Sequence, residues 1–102
     1  MIYQFKGPYL FNVTTVTEWN STAIGVYYCG AKIMDGKLSV YYIGKSVADE
    51  GMRGRLLQHL SDKKWPDVTH FGYEACDTVS ETEKHELAEI AKYKPKYNTQ
   101  GK

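Results

Sequence analysis

The chain has 102 residues, with 13 lysine or arginine and 12 acidic side chains, giving a formal net charge of +1. That length makes one domain, able to bury about two-thirds of the surface its unfolded chain exposes, and the near-neutral balance excludes a global basic field that would steer it to nucleic acid. Two cysteines, Cys29 and Cys76, both in apolar strand-like runs, are too few for a disulfide framework or a zinc site and read as buried thiols.

Residues 1–22 carry Ile2, Phe5, Tyr9, Leu10, Phe11 and Val13, with Gly7-Pro8 as punctuation. This is too apolar for a floppy tail. It is expected to pack on the domain as an N-terminal extension, an extra strand and then a helical turn begun by Thr17 or Asn20. The domain proper spans residues 23–102.

Asp35-Gly36 then separates two apolar, aromatic-rich runs, the strongest short-range hairpin signal, because type I′ turns need positive φ at both central residues. Residues 23–33 and 38–45 are therefore two antiparallel strands. A two-residue loop sets Met34 against Lys37, Cys29 against Tyr42 and Tyr27 against Gly44. Since side chains alternate faces, Tyr27 and Tyr42 share a face as diagonal neighbours, about 7–8 Å apart at Cα. Tyr28 and Tyr41 take the opposite face. A four-residue loop keeps this register, whereas a three-residue loop flips one strand and separates the two phenols.

Met52, Leu56 and Leu60 recur at helical spacing. Asp49 is the expected N-cap, and Asp49 and Glu50 suit the positive end of the helix dipole. Arg55 and His59 are i, i+4 neighbours flanking that stripe. Alternation through residues 67–76 suits a third strand. A second helix follows, capped by Thr78 or by Ser80, which has capping-box spacing to Glu83. It stops near Tyr93, ahead of Pro95. Its apolar stripe is Leu87, Ile90 and Ala91, with His85 pointing away and exposed. The sum is an α+β fold, a three-stranded antiparallel sheet flanked by helices.

Several features recur in one order: Gly25-Val26-Tyr27, Tyr42-Ile43-Gly44-Lys45, Arg55 four residues before His59, Glu86 in a helix, and Pro95-Lys96-Tyr97-Asn98. In this the chain resembles the GIY-YIG nuclease family over about residues 23–98. Two departures stand out: Val26 replaces the usual isoleucine, and residues 46–51 add a few positions. Arg55 rather than Arg53 is therefore assigned by the Arg-x-x-x-His step.

The resemblance implies a metal-dependent endonuclease that hydrolyses DNA phosphodiester bonds. Tyr27 is then the general base, assisted by Tyr42; Arg55 clamps the scissile phosphate; His59 moves a proton or hydrogen-bonds the tyrosine; Glu86 holds Mg²⁺ (or Mn²⁺). Lys45, Arg53 and Arg55 are expected to meet nucleic acid. Gly44 leaves room for substrate or helix, and Asn98 ties the C-terminal segment to the core, with a catalytic part as its lesser role. Without the resemblance Glu86 reads as a solvated helix glutamate and the tyrosines as ordinary strand residues. DNA is the expected partner, together with a protein that supplies target selection. No membrane is expected: no stretch is long and apolar enough to span one, residues 1–6 have no signal-peptide pattern, and a cytoplasmic location follows. The alternative is a non-catalytic nucleic-acid-binding or interaction module on the same scaffold.

Overall fold

The computed structural model describes residues 1–19, 23–47, 51–63 and 65–98. Its elements run β1 (Lys6–Leu10), α1 (Val13–Glu18), β2 (Gly25–Lys32), β3 (Leu38–Ser46), α2 (Gly51–Asp62), β4 (His70–Ala75) and α3 (Val79–Tyr93), with a 3₁₀ turn at Met34–Gly36. The strands form one sheet in the order β1-β4-β2-β3, every neighbouring pair antiparallel. The α+β class holds, but the sheet has four strands rather than three. The fourth is the N-terminal strand β1, which adds to β4 with Lys6 opposite Tyr73 and Leu10 opposite His70.

β2 lies between β4 and β3, and residues 25–30 are all buried. Its alternate side chains feed two cores. Tyr27 and Cys29 join Val16, Met52, Leu56 and Phe71 on the side covered by α1 and α2, whereas Val26 and Tyr28 join Ile43, with Ile90 of α3 packed against them. This is period-2 alternation with both faces used.

The hairpin register at the tyrosines is as expected: Tyr27 opposes Gly44 and Cys29 opposes Tyr42. It is reached by another route. Asp35 and Gly36 take positive φ (69° and 71°), but Ile33, not Met34, closes the loop, its N–H donating to the Lys37 carbonyl at 2.9 Å. Nearer the turn, Lys32 pairs with Leu38 and Gly30 with Val40. That three-residue loop alone would separate the phenols. A β-bulge between Cys29 and Gly30 leaves Tyr41 without a partner in the ladder and restores the alignment.

Other local expectations are corrected. α1 begins before Thr17, because the Asn12 side chain caps it by accepting from the Thr15 N–H at 2.7 Å. Asn20 and the N-cap expected at Asp49 lie outside the described residues. Thr78, not Ser80, caps α3, its Oγ1 accepting from the Glu81 N–H at 3.1 Å. Leu87 is exposed, and the inward side of α3 instead carries Thr82, His85, Glu86, Glu89 and Ile90, all buried or half-buried. His85 is thus not an exposed residue; its Nε2 meets Glu74 Oε1 at 2.5 Å. Among the described residues no helix is long and apolar enough to cross a membrane.

Asn98 completes the open edge of β3. Ile43 N–H donates to Asn98 Oδ1 at 2.7 Å and Asn98 Nδ2 donates to the Ile43 carbonyl at 2.8 Å, the two bonds another strand would have made. Its structural role is as expected. Asn98→Ala removes both bonds beside a fully buried residue and should cost about 2 kcal/mol, read as a lower midpoint in urea unfolding with an unchanged m-value.

Candidate active site

The edge of the sheet at β3 is where the α1–α2 side and the α3 side meet, and an open pocket of about 370 Å³ lies there. Tyr27 and Tyr42 enter it from one side of the sheet. Lys45, which pairs with Val26 and so faces the α3 side, enters from the other. Arg55 of α2, Glu86 of α3, Ser46 and Val47 complete the lining. Five of the residues singled out from sequence therefore share one hollow.

Tyr27 is fully buried, and its ring lies over Gly44. A Cβ at position 44 would come within 2.5 Å of the Tyr27 ring and hydroxyl. The missing side chain thus makes space for the phenol rather than for an incoming substrate or helix, which corrects the expectation for Gly44. The Tyr27 and Tyr42 rings have centroids 6.2 Å apart at 40°.

His59 stands behind Tyr27. It is 5 % exposed, does not line the pocket, and its Nε2 is hydrogen-bonded to the Tyr27 hydroxyl at 2.9 Å. Burial, the largest effect, pushes the Tyr27 phenol well above its ordinary value, Tyr42 adds to the rise, and Arg55 opposes it. Tyr42 is raised too, by burial and then by Glu86, with Arg55 again opposing. Even an unperturbed phenol of pKa about 10 needs roughly 4 kcal/mol to ionise at pH 7. A free phenolate is therefore not what this pocket offers. What Tyr27 offers is a hydroxyl that can take a proton from the pocket side while passing its own to His59.

Arg55 and Arg53 part as the Arg-x-x-x-His step requires. Arg55 lines the pocket, with Nη1 donating to Gln58 Oε1 at 3.3 Å. Arg53 donates from Nε and Nη2 to the Thr17 carbonyl at 3.2 and 3.1 Å, which ties α2 to α1 and keeps it away from the pocket. Glu86, 14 % exposed, pairs through Oε1 with Lys45 Nζ at 3.3 Å. Two cations and one carboxylate leave the lining with one excess positive charge, suited to a phosphodiester monoanion. A hard cation that keeps most of its waters needs one or two carboxylates. Glu86 alone meets that minimum for Mg²⁺ or Mn²⁺, provided Lys45 gives way. Glu83, a neighbour on α3, is exposed.

Trp65 has a place that the sequence reading did not give it. Its ring packs 4.7 Å from Tyr42 and 4.5 Å from His59, centroid to centroid, with Tyr97 stacked beyond at 6.1 Å. It joins the Tyr42 and His59 rings in one aromatic cluster. A large aromatic in the connection between helix and strand, next to Pro66, was the available signal.

No protein-family model, curated protein or solved structure matches the chain.

Raised phenol pKa values carry a stability consequence. A group whose folded pKa lies above its unfolded value of about 10 stabilises the fold fully below that pH and loses the contribution as pH rises toward the folded pKa. Wild-type stability should therefore fall above about pH 10, and less steeply in Tyr27→Phe. Absorbance titration near 295 nm should show that this variant loses no tyrosine ionising below about pH 11; loss of one titrating there would contradict the burial argument.

Proposed function

We propose that this chain is a metal-dependent endonuclease domain of the GIY-YIG type, which hydrolyses phosphodiester bonds in DNA. The observation that carries this reading is the convergence of Tyr27, Tyr42, Lys45, Arg55 and Glu86 on one hollow, with His59 bonded to the Tyr27 hydroxyl from behind. Each required chemical role has a group within that set.

The Tyr27 hydroxyl orients the attacking water and accepts its proton while its own moves to His59 Nε2. That route needs neutral His59 and avoids building phenolate in a buried place. Tyr42, held by the His59 and Trp65 rings, supplies a second hydroxyl to fix the water. Arg55 offers its planar donor fork to the non-bridging oxygens, where charge grows in the transition state. When phosphate enters, Lys45 Nζ can exchange Glu86 for a phosphoryl oxygen, freeing the carboxylate. Glu86 would then hold Mg²⁺ or Mn²⁺, whose chemistry is Lewis-acid polarisation of the phosphoryl group and relief of charge on the leaving oxygen.

A second reading is favoured by one observation, the Lys45–Glu86 ion pair, which occupies the carboxylate a cation would need. If that pair persists with nucleic acid bound, the domain is a non-catalytic binding module.

Supercoiled and branched DNA incubated with the protein and Mg²⁺ or Mn²⁺ should be cut. Tyr27→Phe, Arg55→Ala and Glu86→Ala should each lower the rate by about 100-fold or more. Salt-dependent binding without metal-dependent turnover would select the binding module. Cleavage equal in wild type and all three variants would reject the assignment of this pocket.

A further inference from the structure

The α3 side of the sheet holds a second group of residues that the nuclease reading does not use. His85 and Glu89 lie one turn apart on α3, and Glu74 rises from β4 on the same side as Val26, its partner across the ladder. One imidazole nitrogen and one oxygen from each carboxylate all lie within 4.8 Å of one another. The three side chains are half-buried, with those of His85 and Glu74 only 17 % and 20 % exposed. The buried Tyr28 supports them from below, its hydroxyl donating to Glu89 Oε1 at 2.7 Å.

Charge and geometry both ask for more than these residues give each other. Two carboxylates stand beside one imidazole, which contacts Glu74 alone, and among the described residues neither Glu74 nor Glu89 forms an ion pair with lysine or arginine. The i, i+4 spacing presents the His85 and Glu89 ligand atoms to one point without loop ordering. The Tyr28 bond fixes the orientation of Glu89, as outer-shell donors do for ligating carboxylates. Glu74, Glu89 and Tyr28 also line a cavity of about 420 Å³, which offers room for water or another ligand at the remaining coordination positions. One nitrogen and two oxygen donors with an open position form a donor set of the kind Zn²⁺ takes at about 2.0–2.2 Å. The present His85–Glu74 contact would open by a rotamer adjustment to admit it.

We propose that Glu74, His85 and Glu89 bind a divalent transition-metal ion such as Zn²⁺, at a site separate from the Glu86 pocket. The helix α3 then serves two sites from adjacent residues: Glu86 turns to Lys45 on β3, and His85 turns to Glu74 on β4.

Calorimetric titration of the full chain with Zn²⁺ should show one saturable site. In histidine-side-chain NMR the His85 imidazole resonances should shift as Zn²⁺ is added, while those of His59 and His70 stay in place. His85→Ala and Glu89→Gln should each weaken binding by about 100-fold, Tyr28→Phe by about tenfold, and Glu86→Gln should leave it unchanged. Absence of saturable binding up to millimolar Zn²⁺, unmoved His85 resonances in the wild-type protein, or full affinity in His85→Ala would each overturn the proposal and leave an imidazolium–carboxylate pair.

Discussion

The burial of β2 on both faces is the constraint on which the rest of this molecule depends. A central strand with every residue from 25 to 30 enclosed must give each side chain a complementary partner, and alternation lets it supply two cores from eight residues. Tyr27 goes to the α2 side and Tyr28 to the α3 side, and each phenol becomes the polar centre of its own cluster. A slip of one residue would exchange the two and put both out of reach of their partners. The bulge that leaves Tyr41 unpaired therefore does more than bend an edge strand. It absorbs the mismatch created by the loop, so that the alignment needed at Tyr27 and Gly44 survives a turn that would not produce it.

The same burial decides what chemistry is open to Tyr27. Its ring is pressed over Gly44, and its hydroxyl reaches His59 at 2.9 Å. Enclosure that fixes the hydroxyl also penalises its anion, so positional accuracy and intrinsic basicity are opposed here. A hydrogen-bonded imidazole resolves the conflict, because the proton can leave the phenol as another arrives. Trp65 contributes by packing on both the Tyr42 and the His59 rings, which fixes how the imidazole stands to the phenol. On the proposed reading, the positive excess from Lys45 and Arg55 then attracts the phosphate into the pocket that Tyr27 lines.

Legibility from sequence followed the range of the interactions. The strand pair, the stop of α3 at Tyr93, the Arg55–His59 step and the role of Asn98 rest on signals a few residues wide, and these were readable. The partner of β1 was not, because Lys6 meets Tyr73 across most of the chain and β1 itself is largely exposed, with no clear alternation to announce a face. The loop closure was missed for a related reason. Asp35-Gly36 fixes the backbone at the turn tip, but which residues close it depends on how the whole hairpin fits against β4. Trp65 gave only residue type as a clue; its stacking on Tyr42 and His59 joins three separate segments. The choice between Thr78 and Ser80 turned on where the chain leaves β4, which no capping motif encodes.

The failure on α3 has a different cause and a more specific meaning. Reading Leu87, Ile90 and Ala91 as the buried stripe assumes that a helix hides its most apolar face. Here Leu87 is left in solvent, while Thr82, His85, Glu86, Glu89 and Ile90, at i, i+3, i+4, i+7 and i+8, turn toward the sheet. Burying three ionisable groups where aliphatic residues would serve is costly unless each finds a partner, and each does: Glu86 with Lys45, His85 with Glu74, Glu89 with Tyr28. Those partners lie on three different strands, so the helix could not rotate to bury Leu87 without breaking all three at once. The rotation of α3 is thus set by polar contacts to three strands and not by its most apolar stripe, a local rule overridden by the docking of the whole helix.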